Sequence, residues 1–221
     1  MKKSFVQSQV PVTLVGGAPL ESARLQESLA LAPCLVAADG GAARALQDGL
    51  QPEAVIGDMD SLDAGARARI DSARILEIAE QDTTDFDKCL AQISAPLVVA
   101  VGFTGARLDH ELAVYNVLAR RSPAEAVVFG THDIAFHAPP TLRLDLPEDS
   151  RVSLFPMAPV TGRSRGLRWP IDGIDFAPDG RSGTSNAVSG GPVELEFDGP
   201  GMLVILPRKA LTQVVRVLSG G

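Results

Sequence analysis

The sequence is short of most of the residues that would place it quickly. Of its 221 residues only two are cysteines, Cys34 and Cys89, too few and too far apart for a disulfide scaffold or a metal-ligand spacing. They are expected to be buried thiols in a reducing compartment. Lysine is scarce, with only Lys2, Lys3, Lys88 and Lys209, and none follows a glycine. A phosphate-binding P-loop needs that lysine, so this class is excluded. The dinucleotide pattern G-x-G-x-x-G is absent as well. No apolar run reaches the roughly 20 residues that span a bilayer, which argues against membrane residence. The opening Met1-Lys2-Lys3-Ser4-Phe5 is charged, but a polar, proline-containing stretch follows in place of an apolar secretory core, and a cytoplasmic location is expected. Basic charge is also in deficit: the net charge is −7, which speaks against nucleic acid as a partner. What remains, at 45% hydrophobic and 21% charged residues, is the composition of a globular protein large enough for one domain or two small ones.

The first two-thirds of the chain alternate short apolar runs with helical patterns, the sequence form of a parallel sheet covered by crossover helices. Strands are expected over 10–15, 35–38, 54–56, 75–78, 97–101 and 126–129. Helices are expected from about Glu21, Ala42, Asp63, Asp85 and Asp109. In the last of these Leu108, Leu112, Tyr115 and Leu118 fall at three- and four-residue steps, an amphipathic face. After Pro139-Pro140 the apolar residues alternate instead, as in Leu142/Leu144/Leu146, Val152/Leu154 and Val193/Leu195/Phe197. The fold class expected is therefore α/β, with an N-terminal parallel-sheet α/β domain over 1–140 and a smaller all-β sandwich domain over 141–221.

One hydrolase-like string, Gly162-Arg163-Ser164-Arg165-Gly166, matches G-x-S-x-G. A nucleophile elbow needs a strand-to-helix turn and a later histidine. Here Pro170 follows closely, and the last histidine, His137, lies upstream. His132 and His137 are read as structural, and Arg163, Arg165 and Arg168 as a solvated basic face.

Chemistry collects elsewhere. Ten of the seventeen aspartates fall between Asp39 and Asp109, most of them where an expected strand gives way to a helix. Ligands of open parallel sheets bind beyond those strand ends. Singly, these residues have ordinary explanations: Asp60 or Ser61 as a helix cap, Thr84 with Asp87 as a capping box, Asp109 as a cap. Asp58 and Asp60, however, lie two apart, so on an extended strand end both carboxylates point the same way and repel. Mg²⁺, a hard cation with a preference for oxygen, is the natural neutraliser. Asp58, Asp60, Asp85 and Asp109 sharing one edge point to a metal site. Gly16-Gly17, Gly40-Gly41 and Gly102/Gly105 free backbone N–H groups at helix entrances for anionic oxygens, and Arg107 offers a fixed positive fork. An acidic protein acting on a polyphosphate through Mg²⁺ is the resulting picture.

The ordered strings Asp39-Gly40-Gly41-Ala42, Gly57-Asp58-Met59-Asp60-Ser61, Thr84-Asp85-Phe86, Gly105-Ala106-Arg107-Leu108-Asp109-His110, Gly166-Leu167-Arg168-Trp169-Pro170 and Gly183-Thr184-Ser185-Asn186 cover nearly the whole chain. Together they resemble thiamine pyrophosphokinase, which moves a pyrophosphoryl group from ATP to thiamine. One departure is Ala106, where the family usually has glycine before the arginine. The resemblance implies an α/β catalytic domain, a β-sandwich and a homodimer with active sites at the subunit interface. It also implies Asp58, Asp60, Asp85 and Asp109 as Mg²⁺ and catalytic carboxylates, with Arg107 on the phosphates. By the same resemblance Asp39, Gly40, Gly41, Ser61, Thr84, Thr104, Gly105 and His110 lie on the ATP side. Gln81, Trp169, Ser185 and Asn186 are then thiamine contacts. Thiamine carries a permanent cation, which an acidic cleft attracts and the face of Trp169 can contact. Two other readings are a pyrophosphokinase for another hydroxymethyl heterocycle such as a pterin, and a non-catalytic nucleotide or metal sensor.

Overall fold

A computed structural model describes residues 4–120 and 126–220. The charged start Met1-Lys2-Lys3 lies outside them. The chain divides into two compact units, 1–114 and 115–221, and the division falls at Val114/Tyr115.

The N-terminal unit strings short strands and helices in alternation. In order these are β1 (Val6–Gln7), β2 (Val12–Val15), α1 (Ser22–Leu31), β3 (Cys34–Ala38), α2 (Gly41–Gln47), β4 (Ala54–Gly57) and α3 (Ala64–Arg67). A 3₁₀ turn, β5 (Ile75–Glu77), α4 (Asp85–Gln92), β6 (Ile93–Ser94), β7 (Val98–Val101) and the start of α5 (Leu108–Arg120) follow. The strand pairs within the unit, β1 with β6, β2 with β7, β3 with β4 and β4 with β5, are all parallel. β2, β4 and β7 are buried along their entire length, which is why they read as continuous apolar runs and not as alternating ones. The core includes Leu14, Val36, Ile56, Val99 and Phe86. Buried Thr13, a polar intrusion into this core, is satisfied: it donates to Ala32 O at 2.7 Å and pairs with Ser28 at 2.9 Å.

The C-terminal unit is mostly antiparallel. It comprises β8 (Ala126–Phe129), β9 (Asp133–His137), β10 (Thr141–Leu144), β11 (Arg151–Pro156), β12 (Gly162–Arg165), β13 (Gly183–Ala187), β14 (Val193–Phe197), β15 (Met202–Pro207) and α6 (Leu211–Leu218). β8, β9, β15, β11 and β13 pair in that order, and β10, β14 and β12 form a second antiparallel set. Buried His137 accepts the Gly201 N–H at 2.7 Å through Nε2, a structural role.

Two expectations change, while Ala126–Phe129 is a strand as expected and pairs antiparallel with β9. The C-terminal segment is not all-β: Leu211, Val214 and Val215 recur at three- and four-residue spacing and bury one face of α6. On α5 the apolar stripe is only half used. Leu108 and Leu112 stand 71% and 58% exposed, whereas Val114, Val117 and Leu118 are buried. Periodicity marks a face, but the first turns of this helix rise out of an exposed loop. Of the two thiols, both free, Cys89 is buried and Cys34 only partly so. Burial pushes the Cys89 thiol well up, and it is no nucleophile. Gly162–Arg165 is an antiparallel strand, not a nucleophile elbow, and the Ser164 hydroxyl accepts the Ile171 N–H at 3.1 Å.

Candidate active site

The site of the N-terminal unit is built at the carboxyl ends of its parallel strands. β3 runs into Asp39 and β4 into Asp58, and the register pairs Ala38 with Ile56, so the two loops leave side by side. The Asp39 N–H continues the ladder to Ile56 O at 3.1 Å. Gly57 is there because its neighbour must come close: a Cβ on it would lie 2.8 Å from Asp39 Cβ. Gly41, first residue of α2, is held as tightly, since a Cβ there would meet Val15 O at 2.1 Å. The β7 exit joins them. Gly16 N–H donates to Val101 O and Ala18 N–H to Gly102 O, each at 2.8 Å, and Phe103 packs on Phe86 with ring centroids 4.9 Å apart.

Ligand oxygens of Asp39, Asp58 and Asp60 lie within 4.8 Å of one another. Two of the loop residues occupy left-handed backbone without being glycine, Asp39 at φ 38° and Met59, between the other two aspartates, at φ 66°. Such conformations cost about 1–3 kcal/mol each and persist where the surroundings impose them. Local hydrogen bonds impose this one. Ser61 N–H donates to Asp39 Oδ2 at 3.0 Å, Ser61 Oγ donates to Asp60 Oδ1 at 2.8 Å, and Asp60 N–H donates to Asp58 Oδ1 at 3.3 Å. Asp39 is 2% exposed, and its Oδ1 has no hydrogen-bond partner. A buried carboxylate oxygen left open costs free energy in the free protein. It is a place prepared for something that donates or coordinates.

Asp85 opens α4, whose N-cap Thr84 accepts the Asp87 N–H. Its Oδ1 is also buried without a hydrogen-bond partner and would sit 3.3 Å from a Cβ on Gly57. Burial raises the Asp85 carboxyl above its ordinary value, and Asp58 adds to this. Burial raises Asp39 too, against the pull of the Ser61 N–H, and Asp60 adds to the rise. At Asp58 burial pushes upward as well, but the Asp60 N–H, the Gln81 amide and Lys88 outweigh it, so this carboxyl lies below the ordinary range. Gln81 Nε2 donates to Asp58 Oδ2 at 3.1 Å, which joins an expected thiamine contact to the carboxylates.

Arg107 and Asp109 form a separate pair, bound at 2.6 Å and both about two-thirds exposed. The guanidinium holds the Asp109 carboxyl below its usual range. Thr104 is half-buried, while Gly105 and His110 are exposed on the same loop and helix start. Gly105, at φ 82°, donates its N–H to Glu111 Oε2 at 2.9 Å. Asp109 is not among the three grouped carboxylates.

In the C-terminal unit Trp169 is 56% exposed, with the Arg168 guanidinium 5.7 Å from its ring centroid. Arg168 also pairs with Asp149, and Arg163 and Arg165 are exposed along β12. Asn186 is buried and fully engaged in fastening Trp169. Its Nδ2 donates to Trp169 O at 2.6 Å, and its Oδ1 accepts the N–H groups of Trp169 and Ala187 at 3.2 and 2.8 Å. Ser185 sits in left-handed backbone at φ 61°, and its N–H donates to Ser153 Oγ.

One residue of the first site carried no signal as a candidate in the sequence: Lys88, whose ammonium lies 3.4 Å from Asp58 Oδ2 and 3.7 Å from Asp85 Oδ1. The clue available was its position three residues after Asp85 on an expected helix.

Fold and site together define a mixed α/β protein with an acidic site at the ends of parallel strands. The family described as "Thiamin pyrophosphokinase, catalytic domain" matches residues 25–129, the segment that contains all three grouped carboxylates. Thiamine pyrophosphokinase 1 of Oryza sativa subsp. japonica is 28% identical over 198 residues, 74% of this chain and 75% of that protein. Two solved structures share the fold. Thiamin pyrophosphokinase from Candida albicans has a TM-score of 0.74 at 16% identity, covering 91% of this chain and 92% of that one. Thiamin pyrophosphokinase from Geobacillus thermodenitrificans has a TM-score of 0.69 at 23% identity, covering 89% and 96%. The resemblance carried by the sequence motifs is thus found again in both sequence and fold.

Proposed function

We propose that this protein is a thiamine pyrophosphokinase, transferring a pyrophosphoryl group from ATP to the hydroxyl of thiamine to give thiamine diphosphate and AMP. The observation that carries the reading is the approach of Asp39, Asp58 and Asp60 to within 4.8 Å inside the segment matched by the catalytic-domain family. On this reading the N-terminal part is the catalytic, ATP-binding domain and the C-terminal part a thiamine-binding β-sandwich domain. The enzyme works in the cytoplasm as a homodimer whose active sites lie at the subunit interface.

The donor set suits Mg²⁺. All the donors are carboxylate oxygens, and two of them, Asp39 Oδ1 and Asp85 Oδ1, are buried without hydrogen-bond partners. Asp58, Asp60, Asp85 and Asp109 would serve as the Mg²⁺ and catalytic carboxylates, with Asp39 beside them. When bound, the ion supplies neutralisation of phosphate charge. The chain's own residues do the rest. The Arg107 fork binds phosphate oxygens, and the N–H groups of Gly40, Gly41 and Gly105 approach the triphosphate, with Ser61, Thr84, Thr104 and His110 beside them. Gln81, Trp169, Ser185 and Asn186 orient thiamine. Asn186 acts by setting the Trp169 backbone, and Trp169 offers its ring to the thiazolium.

The substrate oxygen bonds to the β-phosphorus as the bond to the α,β-bridging oxygen breaks and AMP departs. The hydroxyl proton passes to Asp85 or Asp109. One incubation with ATP, Mg²⁺ and thiamine tests the reading: AMP and thiamine diphosphate should appear together. AMP alone would mean hydrolysis, and neither product would point to a nucleotide or metal sensor.

A further inference from the structure

The acidic pocket carries its own cation. Lys88 is one of only four lysines in the chain, and its side chain is 2% exposed, the reverse of the usual place for an ammonium. Its polar neighbours are carboxylates, Asp58 Oδ2 at 3.4 Å and Asp85 Oδ1 at 3.7 Å. α4 delivers it there, because a residue three positions after Asp85 returns to the same helix face. An ammonium with so little surface cannot be the group that meets an incoming phosphate. The cost of burying it is offset only by the acids it touches.

We infer that Lys88 is a positioning residue, the built-in counter-cation that holds Asp58 and Asp85 in place before substrate arrives and moderates how tightly the pocket takes a divalent ion. The inference rests on the pyrophosphokinase reading of the site and deepens it. Lys88 and Gln81 both grip Asp58 Oδ2, which fixes the rotation of that carboxylate, while Oδ1 receives the Asp60 N–H. Asp39, Asp58, Asp60 and Asp85 bring four negative charges to one strand edge, and Lys88 supplies a positive charge from inside the protein. A divalent ion entering this group is repelled by the ammonium at the same time as it is attracted by the acids.

The test uses the full chain stripped of metal with a chelator, titrated with Mn²⁺ alone and followed by the paramagnetic resonance signal of the free ion. Lys88→Met should bind Mn²⁺ at least about fivefold more tightly than the wild type, because the repulsion is gone. Lys88→Arg keeps the charge and should stay within about twofold of the wild type. Thermal unfolding gives a second readout that does not depend on activity. Metal-free K88M should unfold at a lower temperature than metal-free wild type, and saturating Mn²⁺ should close most of that gap. Equal or weaker Mn²⁺ binding by K88M, or a stability loss of the same size with and without Mn²⁺, would overturn the proposal and leave Lys88 a packing residue. If K88M does not fold without metal, Lys88→Gln is read by the same two measurements. Wild-type chain assayed with ATP, Mg²⁺ and thiamine separates the two levels. No product there removes the pyrophosphokinase reading, whereas product together with unchanged Mn²⁺ affinity in K88M removes only the role given to Lys88.

Discussion

The two units place their polar chemistry by opposite rules. In the N-terminal unit the strands β2, β4 and β7 are buried throughout and paired in parallel, so they have no face to offer. Polar residues are pushed to the strand ends, where Asp39, Met59 and their neighbours sit in constrained backbone. In the C-terminal unit the antiparallel set β10, β14 and β12 alternates buried with more open positions, so charged residues line its open face as exposed pairs such as Arg143 with Glu194. Charge in the first unit is concentrated and incompletely compensated; charge in the second is dispersed and solvated. The lesson is that the first unit stores unfavourable electrostatics at a point, which is what a site for a cationic ligand requires. The second presents a surface on which a single aromatic can stand out.

That contrast can be broken at several points. The largest effect should follow Asp60→Ala, expected to lower the rate of AMP and thiamine diphosphate formation about a thousandfold or more while the circular dichroism of the folded chain is kept. Full activity would remove the metal-site assignment. Gly41→Ala attacks the same edge through its scaffold. With a Cβ 2.1 Å from Val15 O the backbone must shift, at a cost of about 2–4 kcal/mol in denaturant unfolding.

In the second unit Trp169→Ala should raise the KM for thiamine roughly tenfold with kcat little changed, the mark of lost binding that is equal in ground and transition states. A change in kcat alone would mean that Trp169 serves the chemistry and not the docking of thiamine.

A smaller effect concerns pH. Asp85 and Asp39 bind protons more tightly in the folded chain than in the unfolded one, so between the ordinary carboxylate range and their raised values the folded state carries more protons. The stability of the metal-free protein therefore falls as pH rises through that window. Asp58 acts in the other sense: its contribution is present above the ordinary range and is lost as pH falls through its lowered value. Metal-free Asp85→Asn should unfold about 2–4 °C higher than wild type at neutral pH, with the difference shrinking in acid. The smallest effect belongs to the dispersed charges of the second unit. Glu194→Gln, which loses exposed pairs with Arg143 and Arg165, should change stability by less than about 1 kcal/mol.

Much of this was legible in the residues. Parallel strands buried on both faces must be continuous apolar runs, so β2, β3, β4 and β7 announce themselves, with the acidic strings directly after β3 and β4 and glycines directly after β2 and β7. Less was legible where the signal is shared between distant segments. β13, Gly183–Ala187, is a strand because of the partner it meets, not because of a strong pattern of its own. The exposure of Leu108 and Leu112 runs against periodicity, because a helix can show an apolar face that nothing within its own unit covers. Asn186 looked like a group free to read a ligand. Its hydrogen bonds to the Trp169 backbone depend on β13 passing the 166–170 loop, which no local string encodes.

The sequence by itself determined which chemistry was on offer: carboxylates at strand ends, glycines where backbones must touch, and too little basic charge for nucleic acid. Those follow from side-chain type and from periods of two and 3.6 residues, which are local quantities. Only the tertiary structure decided which acids share a pocket, which oxygens are left without partners and that a lysine is buried among them. Distance, burial and hydrogen bonding depend on segments far apart in the chain being brought together.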